Sequence, residues 1–178
     1  MQLHLKAIKH IRPYLSETTA SSLIRCLVLS RVDNCNNTLY CTTNVQEGRL
    51  QRLMNRSARI ALNISLPNQL THSYKNLQHL HWLPIKYRIN FKIATTTFKT
   101  LTTSQPSYLR DLIIIQNNNK QLRSSSATTL IKHHTSTKIA QRAFSHSSPA
   151  VWNALPTYIR NSTSLSSFKV KLKTHYFQ

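Results

Sequence analysis

A mainly α fold follows from three features of the chain. Its apolar residues fall in segments of helical periodicity instead of being spread evenly. At 178 residues and 40% apolar content it is long enough to bury a real core. Asparagines stand where the periodic segments stop, in a sequence whose only glycine is Gly48. The predicted organisation is a helical bundle over residues 1–112, a polar linker or irregular extension over 113–138, and a small helical C-terminal extension over 139–178.

The first helix is predicted over 3–11, ending at Pro13. Ser16 then caps a second helix whose centre, 22–32, is apolar nearly all round and is expected at the middle of the core. A third helix is predicted from about 45 to 63. On it Leu50, Leu53, Met54, Ser57, Ala58, Ala61 and Leu62 recur at helical spacing, with small residues that permit close packing. Asn63, Asn68 and the run Asn117, Asn118 and Asn119 are the expected helix terminators, since a positive φ has almost no glycine to fall on.

Beyond Asn68, a short helix is predicted over 72–80. Pro84 suits the first position of a longer one reaching about residue 101, where Tyr87, Ile89, Phe91, Ile93, Ala94, Phe98 and Leu101 cover a wide apolar arc. A turn of helix over 107–112 precedes a stretch over 116–138 rich in Asn, Ser, Thr and His, read as linker with room for a short strand. The last segment holds helices predicted over 139–146, 149–153 and 164–177. The final one places Leu165, Phe168, Leu172 and Tyr176 on one side and Lys169, Lys171 and Lys173 around it. Trp82 and Trp152 sit among aliphatic neighbours and read as core anchors.

Charge restricts function. Twenty-four Lys and Arg face four acids, Glu17, Asp33, Glu47 and Asp111, giving a formal charge of +20. A surface this cationic repels itself unless a polyanion neutralises it, so nucleic acid is the expected partner. The four scattered acids speak against two-metal phosphoryl transfer, glycoside hydrolysis and a Ser-His-Asp triad, and the single glycine against a phosphate-cradling loop. Cys26, Cys35 and Cys41, with nine histidines, lack zinc-ligand spacing. No cofactor, metal or catalytic residue is expected. The longest aliphatic run, 112–115, is too short to cross a bilayer. An intracellular protein, nuclear or cytoplasmic, with no membrane partner is the expectation.

Four arginines carry the sharpest signal. At 100° per residue Arg49, Arg52, Arg56 and Arg59 fall within an arc of roughly 80°, nearly opposite the apolar stripe. Each like-charged neighbour costs about 0.2–0.5 kcal/mol on an isolated helix, and no acid lies one turn from Arg52, Arg56 or Arg59. A solvated face normally interleaves Glu, so this ridge reads as a grip on phosphates. Arg88, Lys92 and Lys99 form a second, narrower seam, and Lys169, Lys171 and Lys173 a third candidate contact.

IRPYLS at Ile11, LVLSRVDNCN at Leu27, LQRLMNRSARI at Leu50, LHWLPIKYRINFKI at Leu80, PSYLRDL at Pro106, LRSSS at Leu122, RAFS at Arg142 and VWNALPTYIRNSTSLSSFKVKLKTH at Val151 occur in that order. Together they make nearly the whole chain resemble the C-terminal part of reverse transcriptases from non-LTR retrotransposons, in particular the Jockey-like and chicken-repeat-like groups. The resemblance implies a thumb-like helical bundle with a post-polymerase extension, which grips RNA, DNA or an RNA–DNA hybrid while a separate palm does the chemistry. The palm's adjacent metal-binding aspartates have no counterpart, so the resemblance implies a catalytically silent fragment whose further partner is the missing palm region of a longer polyprotein. Asn34, Cys41 and Arg56 depart from the family's usual residues. The competing readings are a small basic ribonucleoprotein component of mitochondrial-ribosomal type and an expressed transposon relic without selected activity.

Overall fold

The computed structural model describes residues 2–34, 36–64, 73–116 and 128–178. Cys35, His72, Asn68 and residues 117–127 of the expected linker lie outside them. Helices dominate, and the β-type feature among the described residues is one antiparallel bridge, Ile115 to Leu130. The chain divides into two compact units, Met1–Asn36 with Thr42–Arg88, and Asn37–Cys41 with Ile89–Gln178. This division falls inside a helix and differs from the boundaries expected at 112 and 138.

The first unit opens with α1 (Gln2–Ile11), which buries Leu5 and Ile8 and runs into a 3-10 turn at Arg12–Tyr14. Ser16 caps α2 (Glu17–Ile24), its side chain accepting from Thr19 N–H at 3.1 Å. The helix continues through a π-turn, Arg25–Leu29, into α3 (Ser30–Asp33), with Ser30 N–H bonded to Arg25 O five residues back. Ala20, Ile24, Val28, Leu29 and Val32 are buried, but Leu27 is 41% exposed. The segment read as apolar nearly all round therefore buries one face in the core and leaves Leu27 on the other.

Helix α4 (Asn44–Ala61) starts at Thr43, whose side chain accepts from Gln46 N–H, with Glu47 in the first turn where the helix dipole favours an anion. It ends in a Schellman motif: Asn63 has φ 55°, Ile64 N–H bonds Arg59 O at 2.9 Å, and Asn63 N–H bonds Ile60 O at 3.2 Å. Arg12 reinforces this end. Its buried guanidinium donates to Ile60 O at 2.9 Å and to Ala61 O at 2.8 Å, placing a cation on the negative pole of α4. Helix α4 packs on α1, α2 and α5 (Ser73–His79).

Asparagine is not the general terminator. His81, with φ 55°, closes α5 by the same double bond pattern, Trp82 N–H to Leu77 O and His81 N–H to Gln78 O. Ser104, with φ 54°, ends α6 (Ile85–Thr103), and Cys41 has φ 53°. At His81 the flanking Leu80, Trp82 and Leu83 are buried, and that burial offsets the steric cost of a left-handed conformation on a side chain that would not choose it. Pro84 lies just before α6, its carbonyl accepting from Arg88 N–H, one place earlier than the expected first helical position.

In the second unit Phe98 of α6, Trp152 of α8 (Phe144–Asn153) and Phe168 of α10 (Leu165–Phe177) form an aromatic core. Their ring centroids stand 4.4 Å (Phe98 to Phe168), 5.9 Å (Trp152 to Phe168) and 6.4 Å (Phe98 to Trp152) apart. Such offset and tilted pairs suit the ring quadrupoles and exclude water. Short helices α7 (Ser107–Arg110) and α9 (Thr157–Arg160) complete the set. The helices expected over 139–146 and 149–153 are instead a 3-10 turn, Ala140–Arg142, followed by α8, which carries the buried Pro149 inside it.

The C-terminal flank of the expected linker is fixed in place. Asn153 mimics a strand neighbour, accepting from Leu130 N–H at 3.0 Å and donating to Leu130 O at 2.8 Å, while Trp152 Nε1 donates to Thr128 O at 2.9 Å. The Leu130 side chain is buried.

Candidate nucleic-acid interface

The ridge of α4 forms as the sequence predicts. Its opposite face buries Met54, Ser57, Ala58 and Ala61, which leaves Arg49 and Arg52 exposed and Arg56 and Arg59 half-buried. The four arginines do not stand on an open convex face. They line one side of a groove of about 570 Å³ whose other walls include Gln2 of α1 and Ser73 at the start of α5. An adjoining groove of about 550 Å³ is lined by Lys6, Lys9 and His10 of α1 together with Arg56. Arg56 therefore belongs to both, and six further basic side chains from two helices gather around it.

Sequence reading missed the α1 contribution. Gln2, Lys6 and Lys9 recur at i, i+4 and i+7, so they share a helix face, and that spacing was the available signal. Its meeting with α4, more than forty residues away, is a property of the packing of α1 against α4 and not of local sequence.

No carboxylate lines either groove. Two of the four acids are engaged elsewhere: Glu17 pairs with His79 at 3.0 Å, and Asp33 holds Arg88 through both carboxylate oxygens, with the Arg88 Nη2 contact at 2.5 Å. Among the described residues the ridge's guanidinium hydrogen bond goes to a neutral group, Arg56 Nη1 donating to Gln2 Oε1 at 2.9 Å. A cluster of guanidiniums in a concave site lined by no carboxylate among the described residues is suited to binding phosphate oxygens.

The other predicted contacts are not gathered here. Arg88, half-buried, is committed to Asp33, which removes it from the expected seam. Lys92 and Lys99 are exposed on the part of α6 that belongs to the second unit. On α10, Lys169 is exposed and Lys171 Nζ donates to Tyr158 O at 3.4 Å, and Lys173 lies on the same helix. Among the described residues no group of three or more His, Cys, Asp or Glu could hold a metal ion, and no helix is long and apolar enough to cross a membrane. Outside the grooves, burial and then the neighbouring Cys41 push the Tyr40 phenol above its ordinary value.

No family model, curated protein or solved structure matches this chain.

Proposed function

We propose that the chain is a nucleic-acid-binding module that clasps the sugar-phosphate backbone through the two-helix basic face of α1 and α4. The observation that carries this reading is the convergence of Arg49, Arg52, Arg56 and Arg59 with Lys6, Lys9 and His10 in a region whose lining contains no acid. Phosphates replace the missing carboxylates, and the counterions they release supply the driving force. Contacts of this kind position a strand without reading its sequence. The resemblance to the thumb and post-polymerase part of non-LTR reverse transcriptases supports the same role, with the chain gripping RNA, DNA or a hybrid duplex and the chemistry belonging to a separate palm. Arg88 acts structurally in this account, through Asp33.

The test is binding of the full chain to a labelled oligonucleotide across a salt series. With roughly six to ten phosphates neutralised, affinity is expected to fall about 10³–10⁵-fold between 50 and 200 mM salt. Binding that ignores salt contradicts the proposal.

A further inference from the structure

Two amide side chains in the α4 groove, Gln2 and Asn55, are held so that each has its oxygen engaged and an NH₂ group left to meet a ligand. A backbone N–H can only donate, so the 2.9 Å bond from Ile85 N–H fixes the Gln51 side-chain oxygen as its acceptor. Gln51 Nε2 then donates to Asn55 Oδ1 at 2.8 Å, which engages the Asn55 oxygen and orients its NH₂ group as a donor. Gln2 is held the same way. A guanidinium has no acceptor, so the bond from Arg56 engages Gln2 Oε1 and leaves the Gln2 NH₂ group as donor. With four arginines and no carboxylate in the lining, the groove presents N–H donors from six side chains and no charged acceptor.

Such a donor-rich lining favours anionic oxygens over base edges and sugar hydroxyls, which ask for donors and acceptors in balance. It suits a ligand made almost wholly of anionic oxygens. The groove is also bounded: its volume of about 570 Å³ is that of a small-molecule site, and Gln2 and Ser73 bound it beside the α4 ridge. A single phosphate would leave most of the four guanidiniums uncompensated, whereas a chain of three carries a charge that matches them.

We infer that this groove is a discrete site for a compact polyphosphate chain, with Asn55, oriented by Gln51, contributing a neutral donor beside Arg49, Arg52, Arg56 and Arg59. The inference rests on the reading of this ridge as a phosphate-binding face and goes further by giving the ligand's form. The chain of phosphates is either a free polyphosphate or the 5′-triphosphate end of an RNA.

Inorganic tripolyphosphate titrated into the full chain by calorimetry tests the site. The expected result is one saturable binding event, weakened about tenfold or more by Asn55→Asp, which puts a carboxylate where the donor was. Arg49→Gln with Arg52→Gln, at two exposed positions where folding is not at stake, should weaken it at least as much. The helical circular dichroism of each variant should match the parent. RNAs of one sequence with a 5′-triphosphate or a 5′-hydroxyl separate the two sources: stronger binding of the triphosphate form assigns the site to an RNA end, and equal binding assigns it to free polyphosphate. Absence of saturable tripolyphosphate binding, or binding unchanged in both variants, overturns the inference. If oligonucleotides still bind with steep salt dependence in that case, the nucleic-acid reading stands alone; if neither ligand binds, both fall.

Discussion

The two units carry equal numbers of basic residues, twelve each of the 24, yet they use them differently. In the first unit the long helix α4 sets four arginines at spacings of three and four residues, and α1 brings two lysines and a histidine to the same place. In the second unit the basic residues are spread over α6, α7, α10 and the segments between, and the strongest organising feature is the Phe98, Trp152 and Phe168 core. Net charge alone therefore does not make a binding surface. Periodicity on one helix, plus a neighbour that walls it, does.

This contrast can be broken at its apolar side first. Phe168→Ala removes the ring that stacks on both Phe98 and Trp152, and is expected to cost about 3–5 kcal/mol of stability by chemical denaturation. A loss below 1 kcal/mol would mean that the aromatic cluster does not organise the second unit.

The first unit depends more on charged hydrogen bonds. Arg12→Ala strips two carbonyls at the C-terminus of α4 of a buried cationic donor and should cost about 1.5–3 kcal/mol. Arg12→Lys should recover little of it, since an ammonium cannot reproduce the forked geometry. Full recovery in the lysine variant would reduce the role of Arg12 to simple charge. The Arg88 pair is smaller. Because its members are partly exposed, Arg88→Ala should cost about 1 kcal/mol after solvent screening and leave oligonucleotide affinity unchanged. Weakened binding would instead return Arg88 to the interface.

The smallest effect has the opposite sign. Arg52→Gln relieves repulsion with Arg49 and Arg56, worth about 0.2–0.5 kcal/mol for each pair, so thermal unfolding should shift slightly upward while nucleic-acid affinity drops. That exchange of stability for binding is expected of a functional cluster and not of a solvated face.

Legibility followed the range of the interactions. The helical class, the cap at Ser16, the arginine ridge and the two buried tryptophans were readable because each depends on residues within a few turns of one another. The Arg12 contacts with α4, the Asp33–Arg88 pair and the α1 wall of the groove were not, because they join residues about fifty positions apart. Asn153 explains why part of the expected linker is fixed: a side-chain amide can imitate a backbone hydrogen-bonding partner, and nothing in the local pattern announces it. The left-handed conformation at His81 was likewise invisible, since propensity favoured asparagine while the burial of Leu80 and Trp82 on either side chose otherwise.

The most direct test compares the parent chain with the Arg52→Ala, Arg56→Ala double variant in oligonucleotide binding at several salt concentrations. The account predicts a steep decline of log affinity with log salt for the parent, a shallower slope by about two in the variant, and a similar loss on every sequence tried. Equal slopes for the two proteins, or a parent that fails to bind in dilute buffer, would contradict it.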